Sequence, residues 1–488
     1  NGNIIAELDK QIREAAKPTA KRNVGIEEIL KMLSNEIQEV DFVKQVHGVD
    51  KNDKEKYDPK THAINQKHYR VLAVEEILRA AKRLKFPIAR ENGKYYIYDT
   101  THWIGIEQQT LKDYLGECAI KTGVPSYTAR PYEFREHLFK QFEADAQLEK
   151  VSPTEDAVLL NMQNGTLVVT QTEHYLKVHE QSDFITYCLP FCYDENAQSP
   201  KFNKFLSEML PDISSQYILS EFLAYVFVKT SYLKLEKALF LYGTGGNGKS
   251  VVLDIIESLF GKENLSNYSL SSLTHKTQMQ YRASIADKLL NVSSEIDGSM
   301  DIPMFKQLVS GESTEARFLY GQPFNMKDYA KLAFAMNMMP ASVEHTNAFF
   351  RRFIIIHFEK TISDAQKDSE LAKKIIADEM PGILNWVLEG LARLMAQRDF
   401  SKCEASKASV ERFKRESDSV AMFIDEFDYE PSKTEQVLQK YLFSEYKSFC
   451  GDDNYRPVST RKFSERLKTL GFEDDKTREG KIVFAKRK

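Results

Sequence analysis

Cysteine is scarce in this sequence, with 5 residues among 488, and only Cys188 and Cys192 lie close together. No second cysteine pair or histidine cluster accompanies them in the sequence, so buried strand cysteines are favoured over a zinc site or a disulfide framework. No run of eighteen apolar residues occurs, which argues against a membrane-spanning helix. The first residues also lack the apolar core of a signal peptide. These absences predict a cytosolic protein with no membrane partner.

An excess of positive charge is also missing, because the formal net charge is −4 at pH 7. This value does not indicate nucleic-acid binding, although acidic outer surfaces can offset a basic channel in a large chain. Residues 451–488 carry 11 Lys and Arg against 7 Asp and Glu, which is a local basic excess. The length predicts about three to four domains. The chain does not begin with Met, so we expect a piece of a longer protein.

One motif predicts both a ligand and a type of reaction. Residues 243–250 read Gly-Thr-Gly-Gly-Asn-Gly-Lys-Ser, a complete P-loop, between an apolar strand-like run at 237–242 and helical spacing at 251–260. By chance the pattern would occur on the order of once in a hundred such chains. It predicts ATP and Mg²⁺ as cofactors, with Lys249 on the β- and γ-phosphates and Ser250 on the metal. The predicted nucleotide-binding residues are Gly243, Thr244, Gly245, Gly246, Asn247, Gly248, Lys249, Ser250 and Val251.

Three later features add catalytic candidates. The apolar run 288–295 ends in Glu295, the candidate base and second metal ligand, with Asp297 as the next choice. A second apolar run ends in Asn337, whose amide could contact the γ-phosphate or the attacking water. Arg351 and Arg352 open a third strand-like run and could serve as an arginine finger from a neighbouring subunit. The alternatives are a surface acid, an Asn that caps a turn, and basic residues that merely flank a strand.

These four features, in this order, resemble the superfamily III helicases of the AAA+ class. Residues 305–320 are similar to the extra motif that precedes a DNA-contacting hairpin in that superfamily, and residues 381–390 to its closing helix. Residues 161–169 resemble the "NG-x-L" strand of its N-terminal domain, and 458–472 resemble a winged-helix recognition helix. The nearest family is that of the phage and plasmid primase-helicases and the poxvirus primase-helicase.

The resemblance implies an α/β fold with an AAA+ P-loop NTPase core. It also implies an α+β N-terminal accessory domain, a helical collar and a C-terminal winged-helix domain. We therefore expect a helical segment with a charged linker at 1–66, the accessory domain at 67–200, the collar at 201–235, the helicase domain at 236–400, and a helical linker with the winged helix at 401–488.

The same resemblance implies an ATP-dependent replicative DNA helicase. Relatives act as homo-hexameric rings on single-stranded and forked DNA, typically moving 3′ to 5′, and we expect Arg351 or Arg352 to complete the neighbouring subunit's site. One departure concerns the acidic motif, which reads Ser-Ser-Glu and leaves Glu295 as its single acid. Such a protein of a phage or virus would lie in the host-cell cytoplasm.

Two sets of residues are the DNA-binding candidates. Lys306, Arg317, Tyr320 and Gln322 would belong to or adjoin the pore hairpin, where cations pair with phosphates and an aromatic ring stacks on a base. The alternative is an ordinary buried β-turn. The second set is Arg461, Lys462 and Arg466, with Lys468 beside them, on the predicted recognition helix. A solvated helix face is the alternative there.

Several functions stay open at this stage. Residues 1–200 contain no cluster of acids suited to a two-metal priming site, so a primase or polymerase is expected as a partner or as an upstream domain. An origin initiator with little unwinding would bind specific duplex DNA through its C-terminal domain. A switch ATPase that binds no DNA would show no stimulation of its ATPase activity by DNA.

Overall fold

The computed structural model describes residues 25–487 except 54, 92, 149–156, 295–299, 319–322, 338–344, 362–367 and 453–456. The chain divides into two compact units. Unit 1 comprises residues up to 198 with 258–264 and 380–385, and unit 2 comprises 199–257, 265–379 and the residues from 386 onward. Among the described helices, none is both long and apolar enough to cross a membrane.

Unit 1 combines a helical core with two small antiparallel sheets, ordered β1-β2-β3 and β4-β5-β6. Its elements are α1 (Ile26–Glu36), α2 (Phe42–His47), α3 (Gln66–Arg83), β1 (Ile88–Glu91), β2 (Lys94–Tyr98), β3 (Trp103–Ile106), α4 (Gln108–Lys121), α5 (Ser126–Ala129), α6 (Tyr132–Asp145), β4 (Val158–Met162), β5 (Gly165–Val169) and β6 (His174–Lys177), followed by a 3-10 turn at Gln181–Asp183.

The N-terminal boundary differs from the one expected at residue 66. Ile29 and Leu33, one helical turn apart, are buried together with Phe42 and with residues of α3 and α4. Helices α1 and α2 are therefore part of the same hydrophobic core as the following elements. The sequence suggested a separate segment because the charged stretch before α3 resembles a linker.

The β4–β5 hairpin explains the "NG-x-L" pattern in structural terms. Asn164, the Asn of this pattern, donates from its amide to the Tyr193 carbonyl (2.9 Å) and accepts the Tyr193 N–H at its Oδ1 (2.9 Å). Gly165 has φ 152°, and a Cβ there would lie 2.4 Å from the Lys177 carbonyl oxygen. The motif thus fixes a hairpin and the chain beside it.

From residue 200 onward, helices alternate with strands. The elements are α7 (Pro200–Met209), α8 (Ile213–Tyr225), β7 (Ala238–Tyr242), α9 (Lys249–Phe260), a 3-10 turn (Lys262–Asn264), β8 (Leu265–Ser266), α10 (Leu270–Thr274), α11 (Met279–Ala283), β9 (Leu290–Ser293), α12 (Ile302–Val309), β10 (Thr314–Arg317), β11 (Pro323–Met326), β12 (Lys331–Met336), α13 (Asn347–Phe350), β13 (Phe353–His357), α14 (Leu371–Gln397), α15 (Glu404–Glu416), α16 (Ser419–Glu426), β14 (Tyr429–Pro431), β15 (Val437–Leu438), α17 (Gln439–Asp452), α18 (Thr460–Thr469), β16 (Asp474–Thr477), β17 (Gly480–Val483) and β18 (Ala485–Arg487).

The central sheet of unit 2 is parallel, with strand order β13-β7-β12-β9-β8. The chain leaves β7 for the far edge at β8 and later returns to β13 on the other side of β7. The strand order therefore reverses at β7, and ligands of open parallel sheets bind at the carboxyl ends of strands beside such a reversal. The mixed α/β class expected from the sequence is confirmed.

The C-terminal part of unit 2 has its own hydrophobic core. Phe423 of α16, Tyr446 of α17 and Phe463 of α18 are buried together. Two small antiparallel sheets, β14-β18 and β15-β17-β16, accompany these helices. This arrangement places α18 and the β16–β17 hairpin in one compact body.

Lys331, the first residue of β12, should make the stability of unit 2 depend on pH. Its ammonium lies 4.3 Å from the centre of the Tyr225 ring and 3.3 Å from Thr230 Oγ1. Burial lowers the pKa of Lys331 to about 8. Between this pKa and the ordinary value near 10.5, the unfolded chain holds a proton that the folded chain has lost, so stability rises with pH across that window.

Lys331→Met should therefore stabilise the protein at pH 7 by roughly 1 to 3 kcal/mol, because the substitution removes the charge that folding buries in the parent. It should also flatten the rise in stability between pH 8 and 10. Denaturant midpoints measured at several pH values, with the exposed Lys360→Met as the control, check both effects. An unchanged pH slope in Lys331→Met would show that this ammonium is ionised equally in both states.

Candidate functional site

The P-loop lies at the carboxyl edge of the parallel sheet, where the strand order reverses. The Gly243 N–H donates to the carbonyl of Met336, the last residue of β12 (3.2 Å). The Phe358 N–H, just after β13, donates to the carbonyl of Tyr242 (2.8 Å). The loop then enters α9, so its backbone N–H groups and the amino end of a twelve-residue helix face the same region. This is the arrangement in which backbone amides bind phosphate.

Glycines are required at specific points of this loop. Gly245, Gly246 and Gly248 have φ of 109°, 62° and 80°, a region that side chains disfavour. Gly243 has a different requirement, since a Cβ there would lie 2.0 Å from Asn247 Nδ2 and 2.7 Å from the Phe358 carbonyl oxygen. The loop curve therefore depends on both backbone conformation and close approach.

Gly243→Ala should cost at least about tenfold in ATP affinity, because the methyl group would displace Asn247 or the Phe358 backbone and open the loop. The measurement is the dissociation constant for a fluorescent ATP analogue. Gly25→Ala is the matched control, since nothing lies within 4 Å of its Cβ position. Unaltered ATP affinity in Gly243→Ala would mean that the nucleotide does not bind in this loop.

Lys249 is a buried cation held by neutral acceptors. It is 7% exposed, and its ammonium donates to the Gly243 carbonyl and to Asn247 Oδ1 (3.0 Å). Asn247 in turn donates from Nδ2 to the Phe358 carbonyl (3.0 Å). The acceptors that the described part of the chain offers to the Lys249 ammonium are the two neutral oxygens of Gly243 and Asn247. Burial lowers its pKa, so an arriving phosphate would supply the missing counter-charge.

The other nucleotide-site candidates lie at the same edge or outside the described residues. Ser250 and Thr244 are exposed on the loop and the start of α9. Asn337 is exposed and directly follows Met336, whose carbonyl accepts the Gly243 N–H. Its backbone therefore lies next to the first residue of the P-loop. Glu295 and Asp297 lie outside the described residues, two and four positions after Ser293, the last residue of β9.

A metal ion at this edge would have few ligands among the described residues. Among the described residues, no three His, Cys, Asp or Glu side chains are grouped to hold a metal. The Ser250 hydroxyl next to Lys249 offers one oxygen of the kind Mg²⁺ prefers. These donors fit a metal that is bound together with a nucleotide, since Mg²⁺ usually takes few protein ligands plus phosphate oxygens.

The two candidate arginines occupy different environments. Arg352 is 8% exposed, and it contacts Glu236 (3.2 Å), Ser310 Oγ (2.9 Å) and the Ala348 carbonyl. Arg351 has a side chain that is 62% exposed and forms one ion pair with Glu236 (2.6 Å). Arg352 is therefore engaged within its own chain, whereas most of the Arg351 side chain is exposed to solvent.

Both arginines lie at the amino end of β13, whereas the P-loop lies at the carboxyl end of the parallel β7. The five residues of β13 span roughly 13 Å at the usual rise per strand residue. Neither side chain can therefore reach the P-loop of its own subunit along this sheet. A role in phosphate chemistry would require the site of another copy.

The predicted DNA hairpin is present as the antiparallel pair β10–β11. Arg317 is exposed at the end of β10, and Lys306 is half-buried in α12. Tyr320 and Gln322 lie outside the described residues. Sequence reasoning missed Phe318, which is 47% exposed and stacked on Phe324 with ring centres 5.2 Å apart. Its position beside Arg317 in the same segment was the available signal.

The basic residues of α18 are only partly free. Arg461 is 90% exposed with one surface pair to Glu465 (3.0 Å), and Lys462 is exposed. Arg466 is instead paired with the nearly buried Asp418, the cap of α16. This pairing gives Arg466 a structural contact inside the domain, and its role in DNA contact stays a prediction. Lys468 is likewise paired with Asp474 (3.2 Å).

Three family models match consecutive parts of the chain. Residues 75–211 match "D5 N terminal like", residues 241–352 match a family of unknown function (DUF5906), and residues 415–487 match "Poxvirus D5 protein-like". The chain resembles the primase-helicases of phages and viruses. The DUF5906 match includes the P-loop and ends at Arg352. The two D5 matches therefore lie on either side of the candidate nucleotide site in the sequence.

Two curated relatives carry names that propose a helicase. The chain is 24% identical over 244 residues to protein 121R of Invertebrate iridescent virus 3, which covers 43% of this chain and 25% of that protein. It is 26% identical over 210 residues to L207/L206 of Acanthamoeba polyphaga mimivirus, which covers 41% of this chain and 21% of that protein. The chain thus matches about a quarter of the length of these relatives.

Among solved structures, the C-terminal region of NrS-1 in its A-form apo state aligns with a TM-score of 0.48 and 14% identity. That alignment covers 85% of this chain and 99% of the NrS-1 region. Another apo structure of the same region aligns with a TM-score of 0.48 and 13% identity.

Proposed function

We propose that this chain is an ATP-dependent DNA helicase of superfamily III, with an AAA+ core formed by the parallel sheet of unit 2. One observation carries the proposal: Lys249 is buried in a glycine loop at the strand-order reversal, with neutral acceptors around it. This environment suits the phosphates of ATP, which supply negative charge and oxygen acceptors together. The resemblance to viral primase-helicases supports DNA as the second substrate.

ATP would bind with its phosphates along the loop backbone and against Lys249. Bound Mg²⁺ would neutralise phosphate charge as hydrolysis proceeds. Ser250 would be one metal ligand, and we keep Glu295 as the second ligand and base on sequence grounds alone. Asn337 would sense the γ-phosphate from the end of β12. Hydrolysis then requires a water placed in line with the leaving phosphate.

The placement of Arg351 supports a shared site between subunits. It lies at the opposite end of the sheet from its own P-loop, with an exposed side chain. In a closed ring of head-to-tail copies, that end of one subunit meets the P-loop end of the next. We propose a homo-hexamer in which Arg351 approaches the γ-phosphate bound by its neighbour.

Single-stranded DNA would pass through this ring. The β10–β11 hairpin would offer Arg317 to phosphate, and Phe318, which follows β10, would stack on a base, with Lys306 of α12 as a further cation. The C-terminal body, which we propose is a winged helix, would add Arg461 and Lys462 on α18. We propose 3′-to-5′ movement from the resemblance to superfamily III.

Strand separation tests this proposal directly. Forked duplexes with a labelled strand and with only a 3′ or only a 5′ loading tail should be unwound with ATP, and the 3′ tail should support the faster reaction. Lys249→Ala should be inactive on both. ATP-dependent binding of duplex DNA without any strand separation would contradict the helicase proposal and favour an origin initiator.

The two exposed cations of α18 should contribute to DNA binding through charge. Arg461→Ala/Lys462→Ala should lower the slope of log affinity against log salt by about 1 to 2, since each phosphate contact releases about one counterion. Fluorescence anisotropy with a labelled duplex at several salt concentrations measures the slope. Lys433→Ala, another exposed lysine of this region, is the control. Equal slopes in all variants would indicate that these two cations do not contact DNA and that this face of α18 is only solvated.

A further inference from the structure

The C-terminal body of unit 2 carries an open groove that the proposed ATP and DNA contacts do not use. The groove is bordered by β15, the first turn of α17 and the β16–β17 hairpin, and its volume is about 690 Å³. Binding sites for small molecules commonly have volumes of ~300–1,000 Å³. The groove is therefore of a size that accepts a group such as one nucleotide.

The hairpin turn that borders the groove is held in a defined conformation. Strand β17 pairs with β15 on one side and with β16 on the other. Thr477 pairs with Gly480 across the two-residue turn, and Thr477 Oγ1 donates to the Gly480 carbonyl (2.9 Å). Arg478 and Glu479 are the two residues between them, and both line the groove. A turn that is already ordered loses little conformational freedom when a ligand binds.

The groove combines an apolar lining with an aromatic ring and two cations. Its apolar residues are Val437, Leu438 and Ile482. Tyr441, in the first turn of α17, is 61% exposed, and the Lys440 ammonium lies 4.9 Å from the centre of its ring. Arg478 is exposed at the hairpin turn. An exposed ring with cations beside it is the combination that holds a base and its phosphate.

The charges around the groove have different partners. Lys481 and Lys468 both pair with the carboxylate of Asp474 (2.8 and 3.2 Å), whereas Lys440 contacts an uncharged ring. Glu479 is the acid among the lining residues. A phosphate bound here would therefore be attracted by Lys440 and Arg478 and repelled by Glu479.

We propose that this groove binds one unpaired nucleotide of single-stranded DNA, with the base stacked on Tyr441 and a phosphate paired with Lys440 and Arg478. A base inside a duplex is stacked on its neighbours, so only an unpaired base can offer its face to a side-chain ring. The inference rests on the proposed function, which makes unpaired DNA the product of this protein.

Photocrosslinking locates this contact without reference to overall affinity. The full chain is mixed, without ATP, with single-stranded oligonucleotides that carry one 5-iodouracil at successive positions. Irradiation should give an adduct on Tyr441, identified by mass spectrometry, because iodouracil couples to an aromatic ring on which it is stacked. Tyr441→Ala should lose this adduct. Tyr127→Ala, which removes a 93% exposed tyrosine of unit 1, should retain it.

Fluorescence anisotropy with the same strands measures the contribution of each side chain to affinity. Tyr441→Ala should weaken binding by at least about fivefold, the effect of losing one stacked base, whereas Tyr441→Phe keeps the ring and should bind as the parent does. Arg478→Ala should lower the slope of log affinity against log salt by about 0.7, and Arg478→Lys should keep the slope. Glu479→Gln should strengthen binding, because it removes the repelling acid.

Circular dichroism checks that each variant is folded. A parent chain that binds single-stranded DNA but gives no adduct on Tyr441 would overturn this inference alone and leave the helicase proposal intact. Equal losses of single-strand and duplex affinity in Tyr441→Ala would also overturn it, since a duplex has no unpaired base to stack. A parent chain that binds no single-stranded DNA would overturn both. Every measurement is made without ATP, so none depends on hydrolysis or unwinding.

Discussion

Lys249→Ala should lower the rate of ATP hydrolysis by on the order of 10²- to 10³-fold or more, because we propose that its buried ammonium contacts the phosphates of ATP. The fold should survive, although the Gly243 carbonyl and Asn247 lose a donor. Initial rates of phosphate release at saturating ATP and Mg²⁺ measure the effect, and circular dichroism checks the fold.

Lys262→Ala is the matched control for this variant. It removes an exposed lysine just after the same helix. Both variants therefore lose one positive charge, but only Lys249→Ala loses it from the P-loop. The control should hydrolyse ATP at the parental rate. Hydrolysis by Lys249→Ala at that same rate would place the catalytic site elsewhere in the protein.

Arg351→Ala should reduce ATP hydrolysis by on the order of 10³-fold while ATP binding stays within a few-fold of the parent, as for loss of an arginine finger. The fold should be little affected, since Glu236 keeps Arg352 (3.2 Å) and Lys234 (3.4 Å) as partners. Hydrolysis rates and nucleotide affinity are measured on the same preparation. Arg352→Ala is unsuitable for this purpose, because it removes a buried structural contact.

Mixing two inactive variants tests whether the site is shared. An Arg351→Ala subunit has an intact P-loop, and a Lys249→Ala subunit has an intact Arg351. Interfaces that combine the two intact halves should regain activity, with a maximum at intermediate mixing ratios. Mixed rings that form but show no activity at any ratio would argue that Arg351 does not act across subunits.

The sequence was most informative where function is encoded in consecutive residues. The P-loop pattern, with its flanking strand and helix, placed Lys249 and the loop glycines without any knowledge of distant contacts. The apolar runs that end at Glu295 and at Asn337, and the run that begins at Arg351, likewise contain β9, β12 and β13, because buried parallel strands consist of near-continuous apolar residues.

Nothing in the sequence indicated the contacts between charges that are distant in the chain. Arg352 and Arg466 are each paired with a distant carboxylate, Glu236 and Asp418. Sequence spacing carries no information about such pairs.

ATP hydrolysis measured with and without single-stranded DNA tests the central claim most directly. Unmodified protein should hydrolyse ATP slowly alone and several-fold faster with saturating single-stranded DNA, and Lys249→Ala should be inactive in both conditions. A rate of ATP hydrolysis that does not change with DNA, at concentrations where the protein demonstrably binds it, would contradict a DNA-driven motor. Such a result would favour a switch ATPase.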